Sequence, residues 1–389
     1  MTMSTILFDD IRPYCDQEAP AVIERLLSSA EYRYVFGKMM PDVKPQEFEQ
    51  MMLRCKSTGE FKHIFGYTAV KAVSEKTTFS LSLSGRSRIP DNGAYIFISN
   101  HRDIVLDSAF LNLLLAEIDY NMPQIAIGDN LLVKPWIEDF VRLNGSFIVR
   151  RGINMRELIA QSQRLSAYIR HTITQTKDSI WIAQREGRAK DADDRTQSSV
   201  LKMLAMSGED GGIKSLLDLN IVPLSLSYEY DPCDYLKARE MLSKQRDPSY
   251  KKPIGEDLLN MQTGIFGYKG RVHFAIGTPL RELAESIPAD APHARQFTEA
   301  GKLIDAEIHR RYRLYPGNYV AWDLLDDGCD HAGSHYSEEE KETFVNYLSA
   351  QIAKVEMQDK DEEELKRLIL IMYANPARAY YAAQDPTNV

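Results

Sequence analysis

From about residue 77 to about residue 315, short apolar runs alternate with longer stretches whose apolar residues recur every three or four positions. No other feature constrains the fold as much. Runs of four to eight apolar residues bounded by turn signals read as strands, and the longer periodic stretches read as helices. Strands and helices in alternation build a layered α/β structure. Strands are expected at Thr77–Ser84, Tyr95–Ile98, Gln124–Ile127, Phe147–Val149, Ser179–Ala183, Ile221–Leu226 and Arg271–Ile276. In the first, Phe79, Leu81 and Leu83 alternate with Ser and Thr as on a half-buried strand. Pro90-Asp91-Asn92-Gly93 marks a turn ahead of the second. Helices are expected over the apolar run that ends at Leu115, at Leu131–Leu143 with Asn144-Gly145 as its C-cap, and at Met155–Thr174, Ser198–Met206 and Ala300–Tyr315. Tyr228–Gln262 reads as a long polar excursion with one helix, at Tyr235–Leu242.

The ends have a different texture. Residues 1–75 form a helical N-terminal extension, with Val22, Ile23, Leu26 and Leu27 on one face of Ala19–Ser29, and Phe48, Met51, Met52 and Cys55 on one face of Pro45–Ser57. Lys71–Lys76 is a mixed, partly charged segment. Residues 76–316 form the α/β domain. Residues 317–389 form a helical C-terminal extension, with a turn-rich link at Asp326-Asp327-Gly328-Cys329-Asp330 and amphipathic helices at Glu338–Met357 and Glu362–Ala374. The expected fold is therefore a mixed, mostly parallel central sheet flanked by helices, with helical extensions at both ends.

Composition removes several function classes. With 44% hydrophobic and 26% charged residues among 389, a sizeable core can form. A net charge of −9 argues against a partner held by a general phosphate-binding field, so no nucleic acid is expected. Four cysteines without a CxxC pair suit free thiols in a reducing compartment. The first residues show no basic region followed by an apolar one, so no signal peptide is expected. No run approaches the roughly 18 apolar residues that span a bilayer, so any membrane contact is expected to be peripheral.

Three charged loops follow strand patterns, at residues 100–103, 150–152 and 185–190. Ligands of open α/β sheets lie beyond the carboxyl ends of strands, which is where these loops converge. In the first, Asn100-His101-Arg102-Asp103 precedes a second acid, Asp107. Histidine titrates near neutral pH and serves as a general base, and a carboxylate beside it fixes its tautomer. Asp103 and Asp107 are both candidates for that carboxylate. No GxSxG-type nucleophile motif is present, so His101 would activate a hydroxyl of the substrate. Arg150 and Arg188 offer forked donors suited to a phosphate, although arginines in such loops also form ordinary surface ion pairs.

Two other motifs lead nowhere. His101-Arg102-Asp103 has the letters of a kinase catalytic loop, but Ser108 stands where that loop needs Asn, and the Gly-rich loop and DFG are absent. Asp326, Asp327, Cys329, Asp330, His331 and His335 match no strong zinc spacing and are expected to form a solvated link.

At its charged loops the chain resembles the glycerolipid acyltransferases, the lysophosphatidic-acid and glycerol-3-phosphate acyltransferase superfamily. Ser99-Asn100-His101-Arg102 with Asp107-Ser108-Ala109-Phe110-Leu111 resembles the family's first block, which carries the catalytic His and Asp. Gly145–Arg150 resembles the second, which helps bind glycerol phosphate, and Arg185-Glu186-Gly187-Arg188-Ala189-Lys190 the third, at the phosphate site. Ile221-Val222-Pro223-Leu224 resembles the fourth, associated with the acyl chain, and Val272–Leu280 the strand and Gly-x-Pro turn that follow. The likeness covers roughly residues 78–315. There are departures: five residues separate His101 from Asp107 where the family has four, Arg185 replaces a proline, the arginine follows the glycine directly, and Ile127-Gly128 lacks the family's lysines.

The resemblance implies an O-acyltransferase whose catalytic residues are His101 and Asp107, with Asn100, Arg102, Arg150, Glu186, Gly187 and Arg188 binding substrate. Its donor would be an acyl thioester, acyl-CoA or acyl-carrier protein. Its acceptor would be a phosphorylated lipid or glycerol-type molecule, and no metal or redox cofactor would be required. The expected location is the cytoplasm, peripheral on the inner face of the cytoplasmic membrane. A lipid- or membrane-binding protein with a degenerate site, or a thioesterase using His101 to activate water, is the alternative.

Overall fold

The buried apolar runs assemble into one seven-stranded sheet. The computed structural model describes residues 8–90, 93–152, 155–253, 255–326 and 330–385. In chain order, naming the longer helices, the elements are α1 (Ala19–Ser28), α2 (Ala30–Met39), α3 (Pro45–Arg54), α4 (Thr68–Thr77), β1 (Thr78–Ser84), β2 (Ile96–Ser99), α5 (Leu106–Ala116), β3 (Gln124–Gly128), α6 (Pro135–Leu143), β4 (Ser146–Val149), α7 (Met155–His171), β5 (Ile180–Ala183), α8 (Ser198–Ala205), β6 (Ile221–Tyr228), α9 (Asp234–Arg246), α10 (Glu256–Phe266), β7 (Gly270–Ile276), α11 (His293–Arg310), α12 (Pro316–Leu325), α13 (Glu338–Ala353) and α14 (Glu362–Gln384).

The strand order is β1-β7-β6-β2-β5-β3-β4. From β6 to β4 every pairing is parallel; β7 runs antiparallel to β6 and parallel to β1. All four residues of β2 are buried, which is why it reads as a continuous apolar run: helices cover both faces of a parallel sheet. Ile96 and Ile98 enter the core shared with α7, α8 and α11, while Phe97 enters the opposite core with Phe110, Leu111 and Phe274. Replacing a fully buried ring such as Phe97 by Ala costs about 3–5 kcal/mol. β2 lies between β5 and β6, which come from later parts of the chain, so its carboxyl end sits at a crevice where connections diverge to either side. The His101 loop leaves from that end.

Both extensions are built into the body. Tyr32, Phe36 and Phe65 pack against Phe140 and Leu143 of α6. α12, α13 and α14 gather around α9 through Ala238, Leu242, Leu348 and Ile369. In that interface Asp234 is fully buried. It accepts hydrogen bonds from the Tyr347 and Tyr373 hydroxyls at 2.6 and 3.0 Å and from the Gln351 amide at 2.7 Å. Burial, and then the charge of Asp231, push its carboxyl up to about 7.

Several expectations need correction. Phe79 is exposed, not half-buried, because the β1–β7 register shifts between Thr78 and Ser80 and turns it outward; Leu81 and Leu83 keep their inner face. Lys71–Lys76 lies inside α4. The excursion after β6 contains a second helix, α10, and Pro316–Leu325 is a helix too. α11 starts earlier than expected, at His293, and α14 runs on past Pro376. His331 and His335 pack against Trp322 and Tyr319, with His331 Nδ1 2.5 Å from Asp323. Asp91 and Asn92 of the expected turn, and Asp327, Gly328 and Cys329 of the link, lie outside the described residues.

Candidate active site

The loop after β2 is fixed before it reaches the cavity. The Asn100 side chain donates to the Leu226 carbonyl at 2.9 Å and accepts from the Leu226 amide at 2.8 Å, so it laces the loop to β6. Asp103 caps the start of α5: its Oδ1 accepts from the backbone of Val105 and Leu106 at 2.9 and 2.7 Å. α5 then places Asp107 in its first turn. Oδ2 of Asp107 meets Nδ1 of His101 at 2.7 Å and takes the backbone amides of Arg102 and Asp103 at 2.6 and 3.1 Å. Asp107, not Asp103, is therefore the acid paired with His101. The additional residue between them is accommodated in the turn at Ile104 and Val105.

An ionised Asp107 only accepts, so Nδ1 carries the proton and Nε2 is left to act as base. The His101 ring stands edge-on to Trp181 at 5.7 Å, and the Trp181 indole donates to Ser99 Oγ at 3.0 Å. Tyr228, at the end of β6, has a buried hydroxyl with no hydrogen-bond partner among the described residues. Burial, followed by the charges of Asp107 and Asp103, keeps it far above the ordinary phenol range.

His101 faces a cavity of about 1540 Å³, whose wall also includes Arg150, Glu186, Gly187 and Arg188. This volume exceeds that of a usual small-molecule site, about 300–1,000 Å³. One region is apolar, with Phe36, Phe65, Val73, Leu113, Ile125 and Phe140 on its wall, and the other carries charged loops. The other three residues singled out in the sequence are not on the wall. Asp107 is wholly buried behind His101. Asn100 is laced to β6. Arg102 turns away and pairs with buried Asp194 at 2.7 Å, in contact with Tyr312. The Ile221–Leu224 block lies buried in the sheet, and none of its residues reaches the cavity.

The arginines differ in their engagement. Arg150 is partly exposed and 3.8 Å from Asp129. Arg151 reaches Glu186 at 3.5 Å. Gly187 has φ of 69°, in the left-handed region that glycine adopts without strain, and this turns the loop sharply between Glu186 and Arg188. Arg188 is only 6% exposed; one terminal nitrogen donates to Asn260 Oδ1 at 3.0 Å, and the other is buried without a partner among the described residues.

Nothing in the sequence marks Asn260, Lys252 or Tyr228 as site residues, and Lys190 carries no role in the charged loop. Lys190 and Lys252 both line the cavity. Asn260 and Lys252 stand in the excursion, which carries no motif. The one available signal was the helical spacing of Leu258, Leu259, Gln262 and Phe266.

Residues 80–227 match the family model described as Acyltransferase, a segment that runs from β1 to the end of β6 and includes all three charged loops. None of the curated proteins matches the chain. Among solved structures, the chain is similar to the 1-acyl-sn-glycerophosphate (LPA) acyltransferase PlsC from Thermotoga maritima, at 12% identity and a TM-score of 0.37, over 73% of this chain and 93% of that one. Among the described residues, no helix is long and apolar enough to cross a membrane.

Proposed function

Because residues 80–227 match the acyltransferase family, we propose that this protein moves a fatty acyl group from an acyl thioester, acyl-CoA or acyl-carrier protein, to a hydroxyl of a phosphorylated glycerolipid-type acceptor. The observation that carries this reading is the 2.7 Å contact between His101 and Asp107, with His101 on the wall of a large, partly apolar cavity.

Nε2 of His101 takes the proton from the acceptor hydroxyl as its oxygen attacks the thioester carbonyl. Asp107 stabilises the imidazolium that forms. The tetrahedral species then expels the thiolate, which takes the proton back from His101, and the ester is released without an enzyme-bound intermediate. General-base catalysis of this kind supplies about 10²–10⁴-fold in rate. The apolar region would hold the acyl chain, and Arg150 and Arg188 would attract the acceptor's phosphate.

Tyr34, Val133, Leu158, Leu258 and Phe266 are large apolar residues that are exposed and also border the cavity. They support peripheral docking on a membrane, with the apolar mouth facing the lipid, and we place the protein on the inner face of the cytoplasmic membrane.

The test uses purified protein with an acyl-CoA, with and without lysophosphatidate or glycerol 3-phosphate, following thiol release and product ester together. Ester formation that collapses in His101→Ala supports the reading. Thiol release independent of acceptor would make it a thioesterase, and lipid binding without turnover would leave a binding protein.

A further inference from the structure

The cavity's charged region is built by two parts of the chain that the sequence keeps far apart. From the loop after β5 come Arg188 and Lys190; from the excursion come Lys252 and, on α10, Asn260. Arg188 is almost fully buried, tied on one side to Asn260, and has a terminal nitrogen with no partner among the described residues. A buried guanidinium donor without an acceptor is costly, and a ligand oxygen is the natural acceptor for it.

The neighbouring lysines compete for too few acids. Glu240 is buried and shared by three ammonium groups: Lys190 at 3.0 Å, Lys244 at 2.7 Å and Lys252 at 3.3 Å. Lys252 also reaches Asp257 at 3.1 Å. Three ammonium groups, Lys190, Lys244 and Lys252, thus share two carboxylates, Glu240 and Asp257. The acids behind Arg188 are engaged elsewhere: Asp103 with the start of α5, and Asp231 with Lys237.

Resting on the acyl-transfer reading, in which the loop of Arg188 and Lys190 meets the acceptor's phosphate, we propose that Lys252 completes this loop into a pincer for that phosphomonoester dianion, and that Asn260 is the positioning residue that aims Arg188 into it. Lys252 supplies the half of this site that lies outside the matched family segment, so acceptor recognition depends on the excursion. The lowering of the Lys190 ammonium to about 7, caused by burial and then by Arg188, fits a cluster short of negative charge.

Inorganic phosphate is the probe, titrated calorimetrically into the full chain. Wild type binds it, and Lys252→Ala and Asn260→Ala each weaken binding by about tenfold, or roughly 1.4 kcal/mol. Lys252→Arg, which keeps the charge, binds close to wild type. Thermal melts of each variant confirm folding. No binding by wild type, or undiminished binding by Lys252→Ala, overturns the proposal. Kinetics identify the source. A raised KM for glycerol 3-phosphate or for lysophosphatidate, with kcat and donor KM unchanged, assigns the phosphate to a free or to a lipid-borne acceptor. A raised KM for acyl-CoA alone overturns the assignment to the acceptor. Phosphate binding that responds to the variants in a protein with no transfer activity sustains the pincer while defeating the acyl-transfer reading.

Discussion

Nδ1 of His101 lies 2.7 Å from Oδ2 of Asp107, and the same oxygen holds the backbone amides of Arg102 and Asp103. One carboxylate oxygen thereby sets both the imidazole and the loop that presents it. Asp107→Asn keeps the shape but removes the charge and favours the wrong tautomer. We expect kcat to fall on the order of 10³–10⁴-fold, with little change in donor KM, in a steady-state transfer assay.

Gly264 on α10 has no room for a side chain. A methyl group there would stand 1.9 Å from Oδ2 of Asp103. Gly264→Ala must push back either α10 or the cap of α5, at about 1–3 kcal/mol. Urea unfolding reads the loss of stability, and the transfer rate reads the displacement of His101.

Arg102 and Asp194 form a buried pair, so removing one partner strands the other. Arg102→Met should destabilise the protein by about 3–5 kcal/mol in chemical denaturation. Arg102→Met combined with Asp194→Leu should recover most of that loss. If the double variant is no better than the single one, the pair is not what secures the loop.

Asp234 makes stability depend on pH. Its native carboxyl titrates at about 7, above the 3.8 of an unperturbed aspartate. The unfolded chain therefore loses this proton first. The contribution is fully present below the unfolded value and is lost as pH rises through about 7. Melting temperature should decline over that window in wild type and decline less in Asp234→Asn, which keeps polar atoms for Tyr347, Tyr373 and Gln351.

Lys190 should make anion binding depend on pH in the same region. Its ammonium is lowered to about 7, so it is charged below that value and neutral above it. Sulfate keeps its own charge throughout, so its affinity should fall as pH rises from about 6 to about 8. Lys190→Arg, charged at every such pH, should flatten the profile in titration calorimetry.

What the sequence disclosed follows from burial. Strands covered on both faces leave unbroken apolar runs, so β2, β5 and β6 could be read directly. α10 could not, because Leu258, Leu259 and Phe266 stay exposed and the helix starts just after Pro253 and Gly255 in polar surroundings. Asn100 and Arg102 adjoin His101 and look like ligands from their letters alone. Only the fold shows that one is laced to Leu226 and the other to Asp194. The choice between Asp103 and Asp107 stayed open because it depends on where α5 begins, a boundary set by a cap and not by periodicity. Lys190 and Lys252 meet only because α9 and α10 fold back over the loop after β5, which no local pattern encodes.

The near-contact of Gly264 with Asp103 joins positions about 160 residues apart, and contacts at such separation form after local ones. During synthesis the His101–Asp107 pair lies within one short segment, but β5 and β6, which flank β2, follow it, and α10 comes later still. The cavity beside that base and acid is therefore walled last by Leu258, Met261, Ile265 and Phe266, and a chain cut short before them would hold the pair without its enclosure.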